Sequence, residues 1–524
     1  MSSVSQTEGI RNAEGSWPLP VNESLLAKSR SFVLPVLVAL FVVARLWHVT
    51  ATPLSFDEIF SIDAIRHTWA GLFDFVRRDL VHPPLFYVLL KVWVRIGGES
   101  NLWLRLFSTI IAIVSIFPLL LLFKELQLGT RERNLSLLII SLNGFLIYYS
   151  QLLRMYSLLL FLSLCSLCVV ARIVKGGSKR SLLWLLFGIN LLLVYTHYFG
   201  WFLMGAELIA IAVWRREYVV HFFGTVVLVA IGFSPWIYAV AQVYGNRGLS
   251  HNIGWISRPH LASIIAFYAT LNDKPFEFPS NGKIALLIFA APILVFGLRS
   301  LARSLNLNAS AQVFWFLFIF SFVPVLAVYV ASLLFGQSIW LPRGLLFVAA
   351  PYLMLVIVAA SGLRPRWVGN VMLVLVVAWA VLSGFKNVTR AAEGNGIDSW
   401  AHEMIQMESD KSTVKLYALD EHTPYMLWFY LRSEHAKQFE ITLVKSPKAH
   451  RSEDYWLTGE MFPSITVNDL TQLDGDHFWV AFTTAQWKVK RTPQEIFTQA
   501  GYRIGKGFEG GKPDDKTYLF PVWR

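Results

Sequence analysis

PLSFDEIFSIDAIRHTWAGLFDFVRRDLVHPPL, Pro53 to Leu85, is the longest polar interruption in the apolar N-terminal half of a 524-residue chain. An apolar segment, Ser31 to Val49, precedes it. Within it an adjacent carboxylate pair, Asp57 and Glu58, is followed 24 residues later by His82-Pro83-Pro84-Leu85. Acids held beside a membrane segment are costly and usually serve a function. Between these ends Ile59, Ile62, Ile65, Trp69, Leu72, Phe73 and Val76 recur at helical spacing. Asp63, Arg66, Asp74, Arg77 and Arg78 fill the other face, which predicts a helix lying in the membrane interface. Ser55-Phe56-Asp57-Glu58 also has the form of a capping box, and acids favour a helix N-terminus. Capping accounts for Glu58 better than for Asp57, and it says nothing about the HPPL that follows.

Outside this stretch the composition is that of a polytopic membrane protein rather than a soluble enzyme. It is 55% hydrophobic and only 15% charged, with 20 Trp and a mean hydropathy of +0.50. The net charge of +12 is not a nucleic-acid signature. Residues 386–524 hold 17 Lys and Arg against 19 Asp and Glu, net −2, so the remainder, with 29 against 15, carries +14. That excess sits in the loops between apolar runs, as positive-inside topology requires, and nucleic acid is not an expected partner. The two cysteines, Cys165 and Cys168, lie inside an apolar run and read as small packed hydrophobes, which excludes a disulfide framework.

Eleven runs read as spans: 31–49, 102–123, 135–149, 153–174, 182–195, 199–214, 219–243, 284–298, 311–334, 344–360 and 368–382. Pro84 to Gly98 has an apolar part of only about 14 residues, short for a crossing. If it stays interfacial or re-entrant, the basic connections fall on one side, the cytoplasm. They are Lys124/Arg131/Arg133, Arg172/Lys175/Lys179/Arg180, Arg215/Arg216, Arg299/Arg303 and Arg364/Arg366. The expected organisation is a cytoplasmic segment 1–30 without a cleavable signal, with Lys28 and Arg30 inside. It continues with a membrane domain 31–385, whose first outer loop is 50–102, and an outer soluble domain 386–524. In that tail VKLYAL, ITLV, DHFWVAFT and TYLFPVW read as strands, and TPYMLWFYLRSEHA and TPQEIFTQAGY as helices, which predicts a small α/β domain. It contains no glycine-rich phosphate loop and no nucleophile elbow, so it reads as a lid or acceptor platform.

LSFDEIFS, DLVHPPLFYVLLKVW, NLWLRLFS, NGFLIYYSQLLRMYSL and YTHYFGW, in that order, resemble the GT-C glycosyltransferases of family 39. That group is related to protein O-mannosyltransferases and to the aminoarabinose transferases that modify lipid A. The resemblance covers roughly residues 30 to 245. It implies a multi-pass GT-C bundle in the cell (inner) membrane, with the active site on the outer, periplasmic face. It also implies transfer of a sugar from a polyprenyl-phosphate carrier to a lipid, glycan or protein acceptor. By the family pattern Asp57 is the catalytic base and Glu58 its companion. His82 stands where relatives have His or a phosphate-binding Lys. Arg105 matches the arginine of the "RL" step, and Arg154 with Tyr156 the R-x-Y of the YYSQ segment. Arg343 in WLPRGLLF resembles a later Pro-Arg-Tyr element, with Gly344 where Tyr is usual.

Inverting transfer from such a donor needs a carboxylate to take the acceptor proton and cations to meet the charge on the leaving phosphate. Asp57 could supply the first, and His82, Arg105, Arg154 and Arg343 the second, arginine being suited by its bidentate fork. Snorkelling to headgroups is the plainer reading for Arg105 and Arg154, as interfacial hydrogen bonding is for His197. Asp57, Glu58 and His82 could hold a divalent cation, but their spacing carries no metal signature. The rival class is a lipid or glycan transporter or flippase. Those proteins typically show internal repeats and midplane charges, where here the charges collect at one face and no repeat is evident.

Overall fold

The computed structural model describes residues 32–177, 180–247, 253–254, 256–273, 281–302, 309–389, 396–410, 413–432, 438–446, 456–484, 486–487, 489–512 and 515–524. Segment 1–30 with Lys28 and Arg30, then Lys179, Arg303 and part of the connection 244–283, lie outside the described residues. The chain forms two units. One is Met1–Val49, Thr68–Asn246 and Ile256–Arg390; the other is Thr50–His67, Arg247–Trp255 and Ala391–Arg524.

The first unit is a helix bundle. Its helices are α1 Val33–Leu46, α3 Trp69–Asp79, α4 Leu85–Gly97, α5 Asn101–Val114, α6 Ile116–Glu125, α7 Thr130–Leu142 and α8 Gly144–Gln151. They continue with α9 Tyr156–Val174, α10 Arg180–Thr196, α11 Gly200–Trp214, α12 Val219–Arg247, α13 Leu261–Leu271, α14 Asn281–Ala302, α15 Ala309–Leu334, α16 Ala349–Gly362 and α17 Arg366–Thr389. Seven helical segments among the described residues are long and apolar enough to cross a membrane: Asn101–Glu125, Tyr156–Val174, Arg216–Val243, Gly282–Ala302, Ser310–Leu334, Pro342–Gly362 and Arg366–Lys386. Shorter apolar helices cover the predicted runs at 31–49, 182–195 and 199–214. The run at 135–149 is split into α7 and α8 because Asn143 caps the second, its side chain accepting from Leu146 N at 3.1 Å. The protein is thus a multi-pass, mostly helical membrane protein. Pro342–Gly362 is the innermost segment, 94% of its apolar window being buried, and its helix α16 packs on α7, α14, α15 and α17.

The 13 residues of α4 rise about 20 Å, well short of a hydrocarbon core of about 30 Å. A reciprocal pair folds the chain back into α5: Trp93 Nε1 donates to Trp103 O at 2.8 Å and Trp103 Nε1 to Trp93 O at 3.1 Å, with the rings stacked at 4.2 Å. Gly98, at φ +81°, makes the turn, a backbone region that favours glycine.

The single interfacial helix expected across residues 59–76 is two helices. α2, Phe56–Arg66, belongs to the second unit and α3 to the first. The helical pattern runs through, but His67 is extended and Thr68 caps α3, its side chain accepting from Gly71 N at 3.1 Å. Nor is α2 two-faced, since Glu58, Ile59, Phe60, Ser61, Ile62, Ala64 and Ile65 are all buried. Only α3 keeps the amphipathic form, burying Leu72, Phe75 and Val76.

The second unit also holds α18 Ile397–Met407, α19 Thr423–Leu431, α20 Trp456–Met461 and α21 Pro493–Gln499 around a seven-stranded sheet. Its strands are β1 Val414–Ala418, β2 Phe439–Lys445, β3 Ser464–Thr466, β4 His477–Thr483, β5 Arg503–Ile504, β6 Phe508–Lys512 and β7 Asp515–Trp523. The order is β3-β2-β1-β4-β7-β5, with β6 also on β7. Strands β3, β2, β1 and β4 are parallel, and β7 is antiparallel to β4. This is the small α/β domain read from the alternating strand and helix patterns. Tyr417, Phe478, Val480, Phe482, Phe497 and Phe520 form its core.

Candidate active site

In the bundle unit the chain breaks between α8 and α9, and Arg154 occupies the break, two residues before α9 begins. Met155, at the N-cap, offers no side-chain cap. Arg154 is 2% exposed and lies at the positive end of the α9 dipole. Its Nη1 donates to Tyr87 Oη of α4 at 3.3 Å, and its Nη2 lies 3.2 Å from His82 Nε2. His82 Nδ1 lies 2.8 Å from Asp79 Oδ2, both residues being buried. Leu80, left-handed at φ +59°, ends α3 and turns the chain so that Asp79 and His82 meet.

His197, in the turn between α10 and α11, completes the group. Its ring lies 6.3 Å from that of His82 and 6.5 Å from that of Tyr156. Its Nδ1 accepts from Phe199 N at 3.1 Å. Burial first, then the charges of His82, Arg343 and Arg154, push its imidazole well below the ordinary range, so it is neutral. Arg343 lies in the 3-10 turn Pro342–Val348, next in the chain to Gly344, which sits against His197 and Phe199. Gly344 is glycine for a steric reason. A Cβ there would meet the Phe199 ring at 2.7 Å and His197 Cε1 at 3.0 Å.

The structure therefore brings His82, Arg154, Tyr156 and Arg343 together around His197. Arg105 has a structural tie, its Nη1 donating to Val49 O at 2.9 Å beyond the end of α1. Asp79 and Tyr87 carry no motif signal beyond the Asp-x-x-His spacing and the position of Tyr87 five residues after that histidine. Beside the group, a groove of about 670 Å³ is lined by Phe73, Pro84, Tyr195, Pro235 and Trp236, with Asp74 and Arg77 also lining it. Pro84 follows His82 by two residues and Tyr195 precedes His197 by two, so the same chain segments wall both.

Asp57 and Glu58 lie on α2 in the other unit. Glu58 closes the capping box, its Oε2 accepting from Ser55 N at 2.9 Å and Ser55 Oγ at 3.0 Å. Asp57 takes no part in that box; its backbone carbonyl accepts from Ser61 Oγ at 3.2 Å. Among the described residues no three His, Cys, Asp or Glu side chains gather as a metal-binding group.

No family model and no curated protein matches the chain. Among solved structures, ArnT from Cupriavidus metallidurans bound to undecaprenyl phosphate aligns with a TM-score of 0.56 at 13% identity, over 96% of this chain and 98% of that one. ArnT from the same organism in the apo state gives 0.55 at 13% identity over 94% and 97%. The oligosaccharyltransferase AglB from Archaeoglobus fulgidus gives 0.43 at 13% identity over 78% and 64%, too distant a likeness to argue from. The chain thus has the fold of ArnT, the GT-C arrangement its motifs anticipate. At this identity the likeness establishes the fold and not membership of family 39.

Proposed function

We propose that this protein is an inverting membrane glycosyltransferase that moves a sugar from a polyprenyl-phosphate-linked donor to an acceptor hydroxyl at the outer face of the cell membrane. The observation that carries the reading is the buried Arg154, held by Tyr87 and His82 at the start of α9, beside an apolar groove. A phosphate joined to a long hydrocarbon has that pair of properties, and undecaprenyl phosphate, bound by the ArnT of like fold, is such a molecule. Arginine meets phosphate with a bidentate fork, and the amides at the start of α9 add to the attraction. Phe73, Pro84, Pro235 and Trp236 would take the first isoprenes.

In the reaction Asp57 accepts the proton of the acceptor hydroxyl as its oxygen attacks the anomeric carbon. The bond from that carbon to the phosphate oxygen breaks, and its electron pair leaves with the phosphate. Arg154 and Arg343 meet that charge, and the anomeric configuration inverts. Glu58 closes the capping box and so holds the helix start. Two measurements test the proposal. Purified Arg154→Ala protein should lose most of its affinity for undecaprenyl phosphate. Asp57→Asn protein should bind that lipid normally yet fail to restore the outer-face glycoconjugates missing, by mass spectrometry, from a deletion strain. Full restoration by Asp57→Asn would overturn the mechanism, and unchanged lipid binding by Arg154→Ala would overturn the site.

A further inference from the structure

We propose that the C-terminal α/β domain is the part of the protein that aims Asp57, acting through Tyr425 and Asp63 as positioning residues; this rests on Asp57 being the base. Five contacts within the second unit join α2 and the residues before it to α19 and its N-cap residue His422. Tyr425 Oη donates to Asp63 Oδ2 at 2.9 Å, and Leu54 N donates to Tyr430 Oη at 2.8 Å. The Phe56 ring packs edge-on against His422 at 4.8 Å and tilted against Tyr425 at 5.2 Å. The Arg66 guanidinium lies over Phe429 at 5.8 Å. On α2 the partners are Phe56, Asp63 and Arg66, at intervals of seven and three, one stripe along the helix. Asp57 follows Phe56 and so projects about 100° around the axis from that stripe. The contact with α19 holds the helix and leaves its catalytic face outside the contact.

The support behind α19 is stiff. This helix is the crossover between the parallel strands β1 and β2. Buried Asp420, just after β1, starts it, Oδ1 accepting from His422 N at 2.9 Å and Thr423 N at 2.7 Å. Tyr425 is buried, and burial followed by the Asp63 carboxylate raises the tendency of its phenol to keep its proton, so it is a permanent donor. A phenol donating to a carboxylate is a charge-assisted bond with a preferred direction, suited to fixing a helix about its axis. The sheet, α19, α2 and Asp57 then form one line of support, and the domain is a working part of the proposed catalysis although it carries no nucleophile or phosphate loop.

The test uses the full-length protein in detergent and hydrogen–deuterium exchange of peptides over residues 54–66. Tyr425→Phe keeps the ring and removes only the hydroxyl; Asp63→Asn keeps an oxygen that can accept from it. Amide exchange in α2 should rise roughly tenfold in Tyr425→Phe and stay near wild type in Asp63→Asn. Glycoconjugate restoration in the deletion strain should fall with the former and hold with the latter, while affinity for undecaprenyl phosphate is unchanged in both. Unchanged α2 exchange in Tyr425→Phe, or loosened exchange with full restoration, overturns the inference. Should Tyr425→Phe also loosen β1 and β4, Tyr430→Phe, at a half-buried ring, replaces it with the same two readouts. Full restoration by Asp57→Asn would instead remove the base and leave the exchange result standing, so the two failures are distinguishable.

Discussion

Arg154 and Gly344 are explained by their surroundings rather than by their own chemistry. A lysine at 154 would keep the charge but lose the fork that reaches Tyr87 and His82 together, so Arg154→Lys should bind undecaprenyl phosphate roughly tenfold more weakly with an unchanged melting temperature. Equal affinity in a lipid-binding titration would reduce its role to bare charge. Gly344→Ala should lower stability by about 1–3 kcal/mol, because its methyl would displace the Phe199 ring, and thermal unfolding in detergent reads this directly. The motifs in the sequence bring Arg154, Tyr156 and His82 to attention, since each stands in a recognisable string. Asp79 and Tyr87 are not legible that way: their parts depend on the left-handed turn at Leu80 and on how α4 lies against the break before α9. Arg105 shows the converse, a motif arginine with a structural bond to Val49 O.

Among the elements, those with a strong period are readable and those decided by neighbours are not. The tail strands β1, β2, β4 and β7 follow from their apolar runs, whereas the break between α2 and α3 interrupts a helical pattern that continues on paper. What ends the helix there is Thr68 as a cap and the packing of α2 on α19, a segment more than 350 residues away in sequence. Helices α9, α10 and α11 are joined by a polar network equally hidden from hydropathy. Glu207 accepts from Asn190 Nδ2 at 2.7 Å and from Ser166 Oγ, all three side chains being fully buried. Asn190→Ala leaves that carboxyl short of a donor and should cost about 1–3 kcal/mol, while Glu207→Gln, which still accepts, should cost less. Equal melting temperatures for Asn190→Ala and wild type would show that the network does not hold the three helices.

For the whole molecule, orientation is the property to settle. The basic connections between spans predict that the α6–α7 loop faces the cytoplasm and the α/β domain the outside. With Cys165 and Cys168 replaced by alanine, a cysteine at exposed Asp476 should react with an impermeant thiol reagent on intact cells. One at exposed Arg131 should react only after permeabilisation, and the reverse pattern would overturn the topology. The enclosed position of α16 bears on how the bundle is made. Three of its neighbours, α7, α14 and α15, leave the ribosome before it, and only α17 follows. Until Pro342–Gly362 has been translated, the earlier spans stand in the bilayer around a place no segment yet fills, their inward faces unmatched. Closure of the bundle therefore waits on the last third of the message, and a nonsense codon before that point would leave spans that insert without assembling.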